Sequence, residues 1–401
     1  MSTATVRRMG VLDGIRVLDF GRFIAGPFCA TLLGDLGAEV IRIEKRAGGE
    51  DRFLSPVADD GTGATHLNLG RNKRGITLNP RTPGGGMIRD RLVASADVVV
   101  VNLPRKGLEA MGLDYPSLTA IKPDIILTSV DAYGDDGPYA DRVGFDGVGQ
   151  AMAANTWLTG PLGHPTRSYT PYVDFGTASL AAYATMAALW HRERTGEGQH
   201  VRGALLRTAM HFNASIMTEE AVVAKGRVST WNRGQTSGPT DVFEATDGWL
   251  VLQVVGAPVF RRLARLLQRS DWLEDPRFAT DDGRGEFGAE LSEVIGAWVA
   301  QRTVGQAIAE FNDAGVPSAP VLDPRSALED PHVVATGLFV PLAYPGTDID
   351  PPIAVPPVAL SATPAEVRHR APGLGEHTEG VLAELGFSSD EIAGFREEGA
   401  V

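Results

Sequence analysis

Apolar and polar positions alternate along this chain in a way that predicts strands and helices taking turns. Ile15 to Leu18 is a short apolar run, and Ala38 to Ile43 is a second. Between them Pro27 stands where a first helical residue belongs and Gly37 where a helix stops, so the segment reads as a β-α-β unit with a helix of two to three turns. A crossover that short joins adjacent parallel strands. The β-branched runs Asp97–Val101 and Asp124–Thr128 continue the pattern. Uninterrupted apolar strands of this kind suit a parallel sheet covered on both faces. Phe175 to Glu193 predicts a long helix rich in alanine, whose small side chains let another backbone approach closely, and Val201–Leu205 with the segment to Met217 adds a strand and a helix.

Near residue 225 the pattern changes. Asp241–Ala245 and Trp249–Val254 flank Thr246-Asp247-Gly248, an antiparallel hairpin signal. Helical periodicity follows at 259–268, 288–301 and 305–312, so residues 225–325 read as a smaller α+β domain. The preceding residues 1–224 form the first part of a large domain. The Pro-rich 350–357 reads as a linker within 326–401, and the final 374–401 holds two short helices around Gly386.

Composition narrows the classes. The 401 residues are 43% hydrophobic and 22% charged, with a formal net charge of −13. That charge disfavours nucleic acid as a partner but leaves room for a local basic pocket. No run approaches the roughly 18 apolar residues of a membrane span. The charged start, Met1 to Met9, lacks the apolar stretch of an export signal, so the expected location is the cytoplasm. The single cysteine, Cys29, lies on the apolar side of the first helix and reads as a core residue. The eight histidines are scattered without ligand spacing, so no metal is expected. No Gly-x-Ser-x-Gly elbow occurs.

The first turn lacks Gly-x-Gly-x-x-Gly, which argues against a nicotinamide cofactor held by Glu44 as the ribose acid. Basic residues recur at strand ends instead: Lys45 and Arg46; Arg71, Lys73 and Arg74; Arg105 and Lys106. In an acidic chain these are either solvated surface or a phosphate site. Asp174, in Tyr172-Val-Asp-Phe-Gly-Thr-Ala178, stands where an extended segment enters the Ala-rich helix. It is either a helix cap or a nucleophile whose oxyanions the free helix-end N–H groups stabilise, with Gly176 admitting the substrate.

Six motifs in order give the chain a resemblance over nearly its whole length. They are Gly14–Asp19 with Ala25-Gly-Pro27; Asp35–Glu44; Asn72–Leu78; Tyr133–Tyr139; His191–His200; and Leu374–Thr378. The chain resembles the family III CoA-transferases, a group that includes formyl-CoA and carnitine CoA-transferases and the related α-methylacyl-CoA racemases. The resemblance implies a Rossmann-like large domain built from both termini, a small domain, and two protomers interlocked as a homodimer of linked rings. It implies transfer of CoA from an acyl-CoA donor to a small carboxylic acid, with CoA as substrate and no resident cofactor. Asp174 matches the nucleophile that passes through a mixed anhydride and an aspartyl-CoA thioester.

Matched positions place CoA against Ile24, Ala25, Lys45, Leu69, Arg71, Asn72, Lys73, Asn102, Leu103, Arg105, Asp131 and Tyr133. Gly234–Pro239 stands where formyl-CoA transferase has a glycine-rich active-site cover. Ile24 replaces a glutamine, Ala110 an arginine for which Arg105 or Lys106 compensates, and Asp131 a residue that is often small or basic, a change expected to repel a phosphate or alter the acceptor side. The racemase alternative needs a proton-carrying histidine where Phe145 stands in Gly144-Phe-Asp146. A silent CoA-binding protein, the non-enzyme alternative, has no need of Asp174.

Overall fold

The computed structural model describes residues 10–401. The segment read for an export signal, residues 1–9, lies outside them. By internal contacts the chain divides into two units, the first comprising the chain up to Ala153, Tyr169–Thr218 and Gly337–Val401, the second Ala154–Ser168 and Glu219–Thr336.

The first unit is built on six parallel strands: β1 (Arg16–Asp19), β2 (Glu39–Glu44), β3 (Lys73–Thr77), β4 (Val98–Val101), β5 (Ile126–Asp131) and β6 (His200–Ala204), in the spatial order β3-β2-β1-β4-β5-β6. This is the doubly wound order that reverses between β1 and β4, and the crevice at the carboxyl ends of those two strands is where such sheets bind ligands.

Successive strand residues serve opposite faces. Val17, Val98 and Val100 pack under the first helix (Ala25–Asp35) and the long helix (Tyr172–Thr195), while Leu18, Val99 and Val101 pack under the helix Pro83–Ser95 and the C-terminal helices Thr378–Glu384 and Ser389–Glu398. Two covered faces explain why these strands read as unbroken apolar runs. Gly37, at φ +113°, ends the first helix's C-terminal turn as the sequence predicts.

Strand β3 was not legible. Its first residues are Lys73 and Arg74, which read as surface charge, yet Lys73 is buried and donates to Asp19 Oδ2 at 2.8 Å. An ion pair supplied from β1 hides a strand from hydropathy. The Pro-rich segment read as a linker contains β11 (Pro352–Ala354), which pairs antiparallel with β10 (Phe339–Pro341) and buries Ile353 against Leu67 and Tyr344.

In the second unit, β7 (Thr240–Ala245) and β8 (Gly248–Gln253) form the predicted hairpin, and β9 (Ser318–Pro320) adds antiparallel to β8. Asp247 in the turn accepts from Val304 N–H at 2.7 Å and so fixes the start of the helix Val304–Asp313. Phe243, Leu250, Phe260, Trp272, Ile295 and Phe311 belong to this unit's own core.

Candidate active site

Asp174 lies in the first turn of the long helix, half-buried. That helix begins after Pro171, which offers no side-chain acceptor to the exposed amides. The acceptor comes from another element. Asp146, the buried first residue of the short helix Asp146–Met152, takes Val173 N–H at 2.8 Å and Asp174 N–H at 3.1 Å on Oδ2, and the Gln150 side-chain amide on Oδ1. The expectation that these helix-end amides are free for an oxyanion is therefore corrected: Asp146 occupies two of them. Burial, reinforced by the Asp146 charge, pushes the Asp174 carboxyl up to about 7.

Gly176 is also reassigned. A Cβ there would lie 2.6 Å from the Phe212 ring, so the missing side chain makes room for Phe212 rather than for substrate. Phe175 meets Phe28 edge-on at 5.0 Å, and Phe145 meets Phe23 edge-on at 5.3 Å. These contacts bring the turn after β1 beside the two carboxylates. Phe145 stays 63% exposed, so the pair presents an open aromatic wall.

The turn after β1 is held by hydrogen bonds. Asn102, at the end of β4, accepts from Arg22 N–H at 2.6 Å and donates to Arg22 O at 2.7 Å. Gly26 lies so close to Asn102 and Gly21 that a Cβ would come within 3.0 Å of Asn102 Oδ1. Asn102 thus clamps the sheet's switch point. Ile24 is the residue before the first helix, half-buried; Ala25 and Leu69 are buried; Leu103 packs on the core.

Beneath this turn lies an ionic cluster that hydropathy could not reveal. Asp19 is fully buried; burial alone would raise its carboxyl, but Lys73 and Arg42 hold it below the usual carboxylate range. Arg42 continues to Asp51 at 2.6 Å. Lys73 also donates to Pro27 O at 2.7 Å. Arg71 pairs with Asp35 through two bonds, of 3.1 and 2.7 Å, and Asn72 donates to Asp35 at 2.8 Å and to Glu366 O at 2.7 Å. Arg71, Asn72 and Lys73, expected against CoA, are buried, and the bonds named here tie their side chains to carboxylates and carbonyls of the fold. Glu44 is likewise sealed by Arg52 at 2.6 Å.

The exposed cations at these strand ends are Lys45 and Arg46 after β2, with Lys45 paired with Glu50, and Arg105 and Lys106 after β4, with Arg105 3.8 Å from Glu109. Asp131 ends β5 and accepts from Gly134 N–H, so it shapes its loop; burial, opposed by that amide and reinforced by Asp135, raises it to about 6. Tyr133 stacks edge-on with Tyr139 at 5.6 Å. Cys29 is fully buried, and burial pushes its thiol up to about 12, which makes it inert. In the second unit, Gly234–Pro239 is tied by Arg227 to Gln235 O at 2.9 Å and by Arg284 to Gly238 O at 3.0 Å. A pocket of about 310 Å³ lined by Thr177, Arg202, Arg207 and His211 lies along the long helix but does not include Asp174.

Sequence reasoning missed the part Asp146 plays. The sequence signal pointed elsewhere: Thr170-Pro171 reads as an ordinary cap with proline at the first helical position, yet the helix starts at Tyr172 and takes its acceptor from Asp146.

Comparison with known proteins agrees with the sheet order and the motifs. Residues 12–378 match the family model described as CoA-transferase family III. A succinyl-CoA–D-citramalate CoA-transferase of Chloroflexus aurantiacus is 35% identical over 95% of this chain and 96% of its own. A succinate–glutarate CoA-transferase of Agrobacterium fabrum is 33% identical over 93% and 95%. The crystal structure of a CAIB/BAIF family protein from Brucella suis superimposes with a TM-score of 0.82 at 31% identity, covering 94% of this chain and all of that one.

Proposed function

The chain belongs to CoA-transferase family III, an acyl-CoA:carboxylate CoA-transferase, and on that premise we propose that Asp174 carries CoA between two acids as a covalent aspartyl intermediate. The observation that supports this reading is a half-buried carboxyl held near 7 at a helix start beside the switch-point turn. Partial removal from water raises both its basicity and its nucleophilicity.

An Asp174 oxygen attacks the thioester carbonyl of the donor. The C–S bond breaks, the electron pair leaves with CoA as thiolate, and a mixed anhydride remains. The thiolate attacks the Asp174 side-chain carbon and expels the donor acid as its carboxylate, which leaves an aspartyl-CoA thioester. The acceptor carboxylate attacks that carbon, expelling thiolate and forming a second anhydride. The thiolate then attacks the acceptor's acyl carbon, which makes the new acyl-CoA and returns Asp174 as carboxylate. No net proton or water is consumed, so each step keeps the acyl activation that hydrolysis would dissipate.

The CoA site in this proposal is the turn at Ile24 and Ala25, the β4 end at Asn102 and Leu103, the loop from Asp131 to Tyr133, and Leu69, with Lys45 and Arg105 as the cations open to phosphate. The relatives' names support short dicarboxylic acids as substrates, with succinyl-CoA as donor. The working unit in this reading is an interlocked homodimer. Tyr183 and Trp190, 73% and 66% exposed on the long helix, offer apolar surface to a second copy.

The test is to incubate the protein with succinyl-CoA and isotopically marked dicarboxylic acids and to read new acyl-CoA by mass spectrometry. Asp174→Ala is expected to lower transfer by roughly a thousandfold or more while the fold and CoA binding persist. Near-parental turnover by the folded variant would overturn the assignment.

A further inference from the structure

We infer that Asp146 is a positioning residue for the transfer reaction: it fixes the backbone of the nucleophile and places a negative charge beside it that acylation of Asp174 relieves. The inference rests on Asp174 being the nucleophile.

The geometry has two parts. One Asp146 oxygen accepts from the amides of both Val173 and Asp174, so the nucleophile's own backbone is anchored to this side chain. The other accepts from the Gln150 side chain. Both oxygens therefore act as acceptors, the pattern of a carboxylate rather than an acid. Asp146 sits on a different element from the helix it caps and is itself 7% exposed. Water screens this pair poorly, and two like charges held close in such a place oppose each other.

The consequence follows from the chemistry. Free Asp174 is an anion; its mixed anhydride and its CoA thioester are neutral at that carboxyl. Repulsion from Asp146 raises the free enzyme relative to both covalent species, so it favours their formation and leaves Asp174 more basic than an isolated aspartate. The upward displacement of the Asp174 carboxyl is consistent with this. A cap supplied by serine or threonine would hold the helix equally well but would carry no charge.

Other ionisable groups lie on the elements packed against the long helix. They are Asp35 on the first helix, Asp131 on β5, His200 and Arg202 on β6, and Arg207 and His211 on the helix Leu205–Phe212, with Tyr172 on the long helix itself. The charge that acts on the Asp174 carboxyl is that of Asp146.

Asp146→Asn keeps an acceptor for the helix amides and removes the charge. The measurement is kcat/KM for acyl-CoA against pH, together with hydroxylamine trapping of the aspartyl intermediate and peptide mass spectrometry. In Asp146→Asn the acid limb is expected to move to lower pH by about one unit or more, and adduct at pH 8 to fall by about tenfold, with KM changed less than about threefold. Asp146→Glu, which keeps the charge, is expected to restore the parental acid limb.

An Asp146→Asn protein whose acid limb stays at the parental position overturns the inference. Should that variant fail to fold, Asp146→Ser, another uncharged cap, gives the same reading; if neither folds, the role is purely architectural and the inference is overturned. Failure of the underlying reading looks different, because then the parent itself yields no adduct on Asp174.

Discussion

Asp174 and Asp19 are both carboxyls taken out of water, and their partners send them opposite ways. Asp19 is met by Lys73 and Arg42 and is held low; Asp174 is met by Asp146 and is pushed up to about 7. The sign of the second case makes a prediction. A carboxyl whose folded-state value lies above its ordinary 3.8 favours folding while protonated and loses that contribution as pH rises through the folded value. The parent is therefore expected to lose stability between about pH 4 and 7 relative to Asp174→Asn, whose side chain is neutral throughout. Above pH 7 the variant is the more stable by up to about 4 kcal/mol. Thermal midpoints of the two proteins across pH 4–9 check this. A difference that does not vary with pH would show that Asp174 titrates normally. The same contrast explains two buried cations: Lys73 and Arg71 answer the buried carboxylates Asp19 and Asp35 of the fold.

At the scale of elements, the long helix is positioned by what its amino end lacks. Pro171 offers no cap, Asp146 supplies one, and Gly176 lets Phe212 lie against the helix. Two effects compete if Gly176 becomes alanine. Helix propensity favours alanine by about 1 kcal/mol, while a Cβ forced onto the Phe212 ring costs about 1–3 kcal/mol. The contact at 2.6 Å is with the far edge of the Phe212 ring, 48% exposed, so the sign turns on how far that ring gives way. Gly176→Ala is expected to lower the urea midpoint, and pairing it with Phe212→Ala to recover part of the loss. A stabilised Gly176→Ala protein would mean that Phe212 moves aside freely. The parallel strands were legible because both their faces are covered by helices. β3 was not, because its first charge is neutralised by a residue more than fifty positions away.

At the scale of the whole molecule the question is which reaction this constellation runs. A racemase needs a proton carrier on each side of the α-carbon. Phe145 stands immediately before Asp146, its ring against Phe23, and carries no proton. With a chiral 2-methylacyl-CoA in deuterium oxide, the protein is expected to incorporate no α-deuterium, and with a marked dicarboxylic acid to move CoA onto it. Rapid α-deuteration without transfer to any acid would reverse the assignment.

Much was determined by the sequence alone. Its periodicity gives five of the six parallel strands, the hairpin of the second unit and the long helix, because hydrophobic burial is a local pattern that neighbours in the chain already display. Its motifs identified the family and singled out Asp174. What the sequence could not decide was the work of each charge. Arg71, Asn72 and Lys73 read as CoA contacts, and only the fold shows Asp35 and Asp19 bonded to their side chains. Gly176 read as a substrate gap until Phe212 filled it, and Asp146 went unread as a partner of the nucleophile until 27 residues of intervening chain were folded away. Ion pairs, caps and close contacts join residues distant in sequence, and their energies depend on burial and separation, which only the tertiary structure sets.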